Sequence, residues 1–249
     1  MLEYMTNEIK LGKKLAEGKT KIVYESLNAN EVILEFKDDI TAGDGLKHDV
    51  IFGKGKINCA ISAKIFEILE TAGVPTHFIK YIQPNYMIVK IVKMLPIEIV
   101  CRNIAAGHIL ERLPVKLGQR LDPPLVEFFL KDDERHDPML NDMHMEFLKL
   151  ANREECDKIR KITLNVNDIM KKFLASKGIV LVDFKVEMGK DSEGKFLVSD
   201  EINGDSCRLW VQKEEGKILD KDIYRKGGSL DEVKNVYINL YKQILGKEL

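Results

Sequence analysis

The chain has 249 residues, 39 Lys plus Arg against 40 Asp plus Glu, and 45% hydrophobic residues. This is a globular composition with ample chain for a core. The near-neutral charge disfavours a nucleic-acid or membrane-surface binder, whose affinity would need a basic excess, and no apolar run reaches the roughly 18 residues of a spanning helix. The opening Met1-Leu-Glu-Tyr-Met-Thr-Asn-Glu lacks the basic and apolar regions of a secretory signal, so a cytoplasmic placement is expected. Cys59, Cys101, Cys156 and Cys207 form no C-x-x-C pair, and reduced, partly buried thiols are expected.

In chain order, Lys21–Ser26 and Glu31–Phe36 read as strands across the turn-forming Asn28-Ala-Asn30. A polar, Gly-rich stretch from Asp38 to Lys56 reads as loop. Ile57, Ala60, Ile61, Ile65, Ile68 and Leu69 then recur at helical spacing, stopped by Gly73 and Pro75. Thr76–Ile82, Met87–Lys93 and Ile97–Arg102 are further strand candidates, and the chain from Asn103 to Asp137 reads as a mixed region. Asn152 and Glu155 cap a predicted helix from about Arg153 to Lys177. Ile179–Met188 and Lys195–Glu201 read as a hairpin, and Ser229 with Glu232 opens a last helix. Strands and helices are segregated rather than alternating, which predicts an α+β fold. Two lobes are expected, residues 1–94 and 95–249.

Four segments can carry chemistry. In Glu17-Gly-Lys-Thr-Lys-Ile-Val-Tyr24, Gly18 permits close backbone approach to a phosphate and Lys19 and Lys21 can neutralise it; the same residues suit an exposed turn with solvated lysines. Thr41-Ala-Gly-Asp-Gly45 can hold Asp44 near a ligand or be a plain loop. In Ile97-Glu-Ile-Val-Cys-Arg-Asn-Ile-Ala-Ala-Gly107, Glu98 and Arg102 share strand parity. Arg102 suits carboxylate or phosphate recognition, or a structural pair with Glu98. In Leu181–Met188, Asp183, Lys185 and Glu187 alternate with Val182, Phe184 and Val186, and the partner strand brings Asp200 and Glu201 alongside. Such carboxylates can hold Mg²⁺ against nucleotide phosphates, or form a charged outer face.

Taken in order, these segments together with Leu130-Lys131, His136-Asp-Pro138, Ser199-Asp-Glu201 and Arg208-Leu-Trp210 resemble the SAICAR synthetase family, from about residue 15 to the C-terminal helix. The resemblance implies a two-lobed α+β fold with a β-rich, kinase-like nucleotide-binding lobe. It implies an ATP-dependent ligase of purine biosynthesis that joins the carboxylate of carboxyaminoimidazole ribonucleotide (CAIR) to the amine of L-aspartate. By resemblance, Gly18, Lys19, Thr20 and Lys21 cradle ATP phosphates, the segment Lys90–Lys93 holds adenine, and Lys131 adds a phosphate contact. Glu187 and Asp200 bind Mg²⁺. Arg102 and Arg208 hold the ribonucleotide phosphate, with His108 where the family usually has Ser. Asp44 and Lys185 lie near the imidazole and its carboxylate, and Asp137 lies at the catalytic centre. A homodimer is also implied. Met188 and the turn Asn203-Gly-Asp-Ser206 depart from the family pattern without touching these charges. A small-molecule kinase and a silent nucleotide-binding protein are the alternatives; each would share the nucleotide shell and ignore aspartate.

Overall fold

A computed structural model describes residues 9–43, 46–212 and 217–249. The first strands are β1 (Lys14–Glu17), β2 (Lys21–Glu25) and β3 (Glu31–Phe36). A hairpin follows, β4 (Asp39–Ala42) with β5 (Lys47–Val50), where the sequence reads as loop. Helix α1 (Lys54–Thr71) begins three residues earlier than the apolar spacing predicts. Its cap explains the difference: the Asp38 carboxylate accepts from the backbone N–H of Gly53 at 3.0 Å and of Gly55 at 2.8 Å. That partner lies 15 residues back from Gly53, beyond any local capping pattern. Gly55 is required there, because a Cβ would lie 2.4 Å from the Phe36 carbonyl oxygen.

Strands β6 (Phe78–Ile82) and β7 (Tyr86–Lys90) complete an antiparallel sheet in the order β1-β2-β3-β7-β6. Its inner face buries Leu34, Phe36, Met87 and Val89, and α1 covers it with Ile57, Ile61, Phe66 and Leu69. The predicted strand Met87–Lys93 is divided. Its end is β8 (Lys93–Met94), which pairs with the second sheet. The crossing is tight, for a Cβ on Gly189 would meet Val92 Cγ2 at 2.5 Å.

The second sheet has seven strands. Strand β9 (Ile97–Ile104) is followed by a short helix, α2 (Ile109–Arg112), then β10 (Arg120–Leu130) and β11 (Met139–Leu140). The sequence reading missed β10. Pro123 and Pro124 lie in its pairing irregularity between Arg120 and Leu125, beyond which Leu125–Leu130 pairs regularly with β9. After α3 (Asp142–Phe147), the long α4 (Arg153–Ser176) starts at the predicted Asn152–Glu155 capping box. Strand β12 (Ile179–Lys190) is the spine of the sheet. Its first half runs between β9 and β14 (Cys207–Val211), and its end pairs with β8 and β13 (Phe196–Ser199). Val182, Phe184, Val186 and Met188 are buried on one face of β12, and α4 packs on this strand through a buried stripe that includes Ile159, Val166, Met170 and Leu174. A short helix, α5 (Asp222–Arg225), precedes α6 (Leu230–Leu245), which opens on the predicted Ser229–Glu232 box and packs against α1.

The two sheets meet along β13. Val198 forms a parallel bridge with Thr76, and the backbone N–H of His77 donates to its carbonyl at 3.0 Å. No described helix is long and apolar enough to cross a membrane. All four cysteines are buried and free.

Candidate active site

Alternation along β12 places Asp183, Lys185 and Glu187 on the face opposite its apolar residues. Each meets a different partner. The Lys185 ammonium lies 2.5 Å from Glu98 on β9, and Glu187 lies 2.5 Å from Lys131 at the end of β10. Asp183 Oδ2 accepts from both Arg102, at 3.1 Å, and Arg208. Glu98 and Arg102 do lie on one face, but they are not each other's partners. Arg102 also donates to Glu127 at 2.7 Å, and Arg208 to Asp222 at 2.6 Å. Gly107 passes directly over Arg208: φ is +65°, and a Cβ would come within 2.7 Å of its Nη2.

The first sheet reaches this face through the turn between β1 and β2. Gly18 closes that turn by donating its N–H to the Lys21 carbonyl at 2.8 Å. Lys21 then lies 2.9 Å from Asp200 and 3.2 Å from Glu201, both of which follow β13, and Thr20 donates to Glu201 at 3.3 Å. Lys19 is half exposed and pairs with Asp133 at 3.0 Å. Cations of the first sheet and carboxylates of the second therefore converge where the sheets join.

Glu187 and Asp200 respond to this crowding in opposite ways. Burial and the charge of Asp200 push Glu187 up to about 7, against the pull of Lys131 and Lys185. Burial also works against an ionised Asp200, but Lys21, Lys185 and Lys131 outweigh it and hold its pKa below the ordinary value. Burial disfavours the Lys185 ammonium, yet Glu98, Asp200 and Glu187 raise its pKa overall. Among the described residues, no three His, Cys, Asp or Glu side chains group as a metal site. A magnesium ion that draws most of its ligands from phosphates and water needs only one or two carboxylates, and the mutually repelling Glu187–Asp200 pair fits that demand.

The remaining expected residues are more scattered. Lys90 donates to the Thr76 carbonyl at 3.2 Å, while Lys93 is exposed on β8 with no side-chain bond among the described residues. Asp137 has a left-handed φ of +47°, and its carboxylate accepts the N–H of Asp132 at 2.8 Å, so it shapes the turn that carries Lys131. His108 is exposed at the head of α2, next to Gly107. Asp44 lies outside the described residues. A separate cavity of about 560 Å³, lined in part by Leu125, Phe128, Met139 and Met143, contains none of the expected residues.

Three participants escaped the sequence reading: Glu127, Asp222 and Arg112, which donates to both Glu127 oxygens at 2.7 and 2.9 Å. Glu127 carried a signal, being the one charge in the strand-like run Leu125–Leu130. A lone charge there predicts a cross-strand partner.

A family model described as SAICAR synthetase matches residues 14–244. This chain belongs to the SAICAR synthetase family. Among its relatives, the phosphoribosylaminoimidazole-succinocarboxamide synthase of Sulfurisphaera tokodaii is 50% identical, over 93% of this chain and 97% of that protein. The enzyme of the same name from Methanocaldococcus jannaschii is 52% identical, over 90% and 92%. Among solved structures, a SAICAR synthetase in complex with ADP superposes with a TM-score of 0.88 at 43% identity, covering 94% of this chain and 98% of that one. The synthase from Ehrlichia chaffeensis gives 0.90 at 37% identity, covering 95% and 100%. The expected α+β fold is thus the SAICAR synthetase fold.

Proposed function

We propose that this chain is an ATP-dependent carbon–nitrogen ligase. It joins the carboxylate of CAIR to the amine of L-aspartate, with release of ADP and phosphate, in purine biosynthesis. The observation that carries this reading is the family match across residues 14–244. The ADP complex of a 43%-identical relative supports nucleotide use, and the convergence of Lys21, Lys131 and Lys185 with Asp200 and Glu187 supports the site.

The chemistry explains why such a junction is needed. A carboxylate is a poor acylating group, since an oxide would have to leave. Transfer of the ATP γ-phosphoryl group makes an acyl phosphate, and phosphate then departs when the aspartate amine attacks. Catalysis of this kind is positioning plus stabilisation of phosphoryl charge. In our reading Gly18, Lys19, Thr20 and Lys21 receive the ATP phosphates, helped by Lys131, and the 90–93 segment borders adenine. Glu187 and Asp200 would hold Mg²⁺, which supplies charge neutralisation at the phosphates when bound. Arg102 and Arg208 bind the ribonucleotide phosphate, with His108 as a third donor. Lys185 and Asp44 act at the imidazole carboxylate, and Asp137 supports the centre through the Lys131 turn.

We take residues 1–94 as the nucleotide lobe and 95–249 as the substrate lobe. The buried, free thiols suit a cytoplasmic setting. A homodimer rests on the resemblance alone, because α6 buries Val233, Leu240 and Ile244 within this chain. The test is ADP release by the purified protein with Mg²⁺. It is expected only when CAIR and L-aspartate are both present. Sustained turnover without aspartate, leaving a stable phosphorylated product, would point to a kinase instead.

A further inference from the structure

In the proposed site, cations face two of the three reactants. Lys19, Lys21 and Lys131 serve ATP, and Arg102, Arg208, His108 and Lys185 serve the ribonucleotide. L-aspartate brings two carboxylates and so far has no cation.

One buried ammonium beside the site is unassigned. Lys221 is 9% exposed, and among the described residues its side chain makes no hydrogen bond or ion pair. Other buried cations here are satisfied: Lys54 pairs with Asp205 at 2.5 Å, and Arg102 with Glu127 and Asp183. Asp205 is an unsuitable partner for Lys221, because Lys54 and Asn58 fill Oδ2 and Tyr237 fills Oδ1. Burial lowers the Lys221 pKa, and Arg225 and Lys54 add to that effect against the pull of Asp205 and Glu201. A desolvated charge without a partner is costly and is retained where a ligand completes it.

Its position suits the third reactant. The Lys221 backbone N–H donates to the Gly204 carbonyl at 3.0 Å, and the next residue, Asp222, holds Arg208 on the ribonucleotide side. Its field reaches Glu201, which contacts Thr20 and Lys21 on the nucleotide side. An amine attacking an acyl phosphate has to approach between those two sides.

We propose that Lys221 binds a carboxylate of the amino-acid co-substrate, L-aspartate. This rests on the ligase reading, so the test separates the two. ADP release by full-length Lys221→Met is followed against aspartate, CAIR and ATP in turn. Loss of one charge-assisted contact should raise the aspartate KM roughly ten- to a hundredfold. The CAIR and ATP values should stay within about twofold of the unmodified chain, a margin well below the effect of one such bond. Lys221→Arg should recover part of the affinity. Hydroxylamine, a nucleophile without carboxylates, should trap the acyl phosphate equally well with Lys221→Met and the unmodified chain. The melting temperature of Lys221→Met should be unchanged or higher, since an uncompensated charge is removed.

An unchanged aspartate KM in an active protein overturns this inference alone. So does a rise in all three KM values with a lower melting temperature, the signature of a structural lysine. Should Lys221→Met not fold, Lys221→Gln decides by the same measurements. An unmodified chain that releases no ADP from the three substrates overturns the ligase reading, and this inference with it.

Discussion

Glu187 and Asp200 are brought together by the β12–β13 register, yet each is held by a lysine from elsewhere. Glu187 pairs across the ladder with Ser199, which places Asp200 one residue beyond it. Lys131 reaches Glu187 from β10, and Lys21 reaches Asp200 from the other sheet. Asp200 has a φ of +67°, a left-handed conformation that Asp tolerates better than most residues. Two negative charges crowded against two ammonium groups form a site in which nucleotide and metal can exchange with internal ion pairs.

Lys21 and Lys19 should therefore differ sharply when replaced. The Lys21 side chain is 12% exposed and touches two carboxylates, whereas that of Lys19 is 50% exposed with one. Lys21→Met should reduce ADP affinity by more than tenfold, a loss of over roughly 1.4 kcal/mol, and leave Asp200 and Glu201 mutually repelling. Lys19→Met should cost a few-fold at most. Calorimetric titration with ADP and Mg²⁺ measures both. Equal effects would remove Lys21 from its central place.

Glu187 predicts a pH signature. Its folded pKa of about 7 lies above the ordinary 4.5. Between these values the folded chain holds a proton that the unfolded chain has released, so the Glu187 contribution to stability falls as pH rises through this window. Glu187→Gln removes that fall. Its melting temperature should match the unmodified chain near pH 5 and exceed it by roughly 5–10 °C at pH 8, while ligase activity is lost. A variant less stable at pH 8 would refute the assignment.

Gly107 tests the arginine pair without removing a charge. Gly107→Ala must displace the Arg208 guanidinium and adopt a strained positive φ. CAIR affinity should fall at least about tenfold, or ~1.4 kcal/mol, with ADP affinity unaffected. Calorimetry with CAIR alone reads the first and with ADP the second. Arg102→Ala should produce the same split, and normal CAIR binding in both would overturn the phosphate assignment.

What the sequence made legible follows from how local each determinant is. Alternation along β12 revealed the Asp183–Lys185–Glu187 face, and the Asn152 and Ser229 boxes revealed two helix starts, because those patterns lie within a few residues. The start of α1 was hidden, since its cap comes from Asp38. Strand β10 was hidden by its prolines. The Lys21–Asp200 contact joins a strand of one sheet to the residue just past a strand of the other, 179 positions apart, and no spacing encodes it. The family resemblance assigned one to the ATP phosphates and the other to Mg²⁺, without their pairing. The residues that tune the arginines, Glu127, Arg112 and Asp222, belonged to no quoted motif and emerged only from the contacts.

The pairing of Lys54 makes the opposite prediction from the isolation of Lys221. Lys54 Nζ is fully buried at 2.5 Å from Asp205, whose side chain is 3% exposed, and it also donates to the Asp39 carbonyl at 2.9 Å. Burial works against an ionised Asp205, but the charges of Lys54 and Lys221 and the hydrogen bonds from Lys54 and Tyr237 outweigh it and hold its carboxylate at about 2. Lys54→Met leaves that carboxylate buried without its nearest cation and should destabilise the fold by about 3–5 kcal/mol. It also removes the Asp39 contact between α1 and the β4–β5 hairpin, leaving the Asp38 cap as their link. Urea unfolding with an unchanged m-value measures the loss. Asp205→Asn in the same chain should recover part of it, because the amide needs no counter-ion. A loss under about 1 kcal/mol, within the range of an exposed pair, would mean that the pair does not anchor the junction of α1 with the Asn203–Ser206 turn.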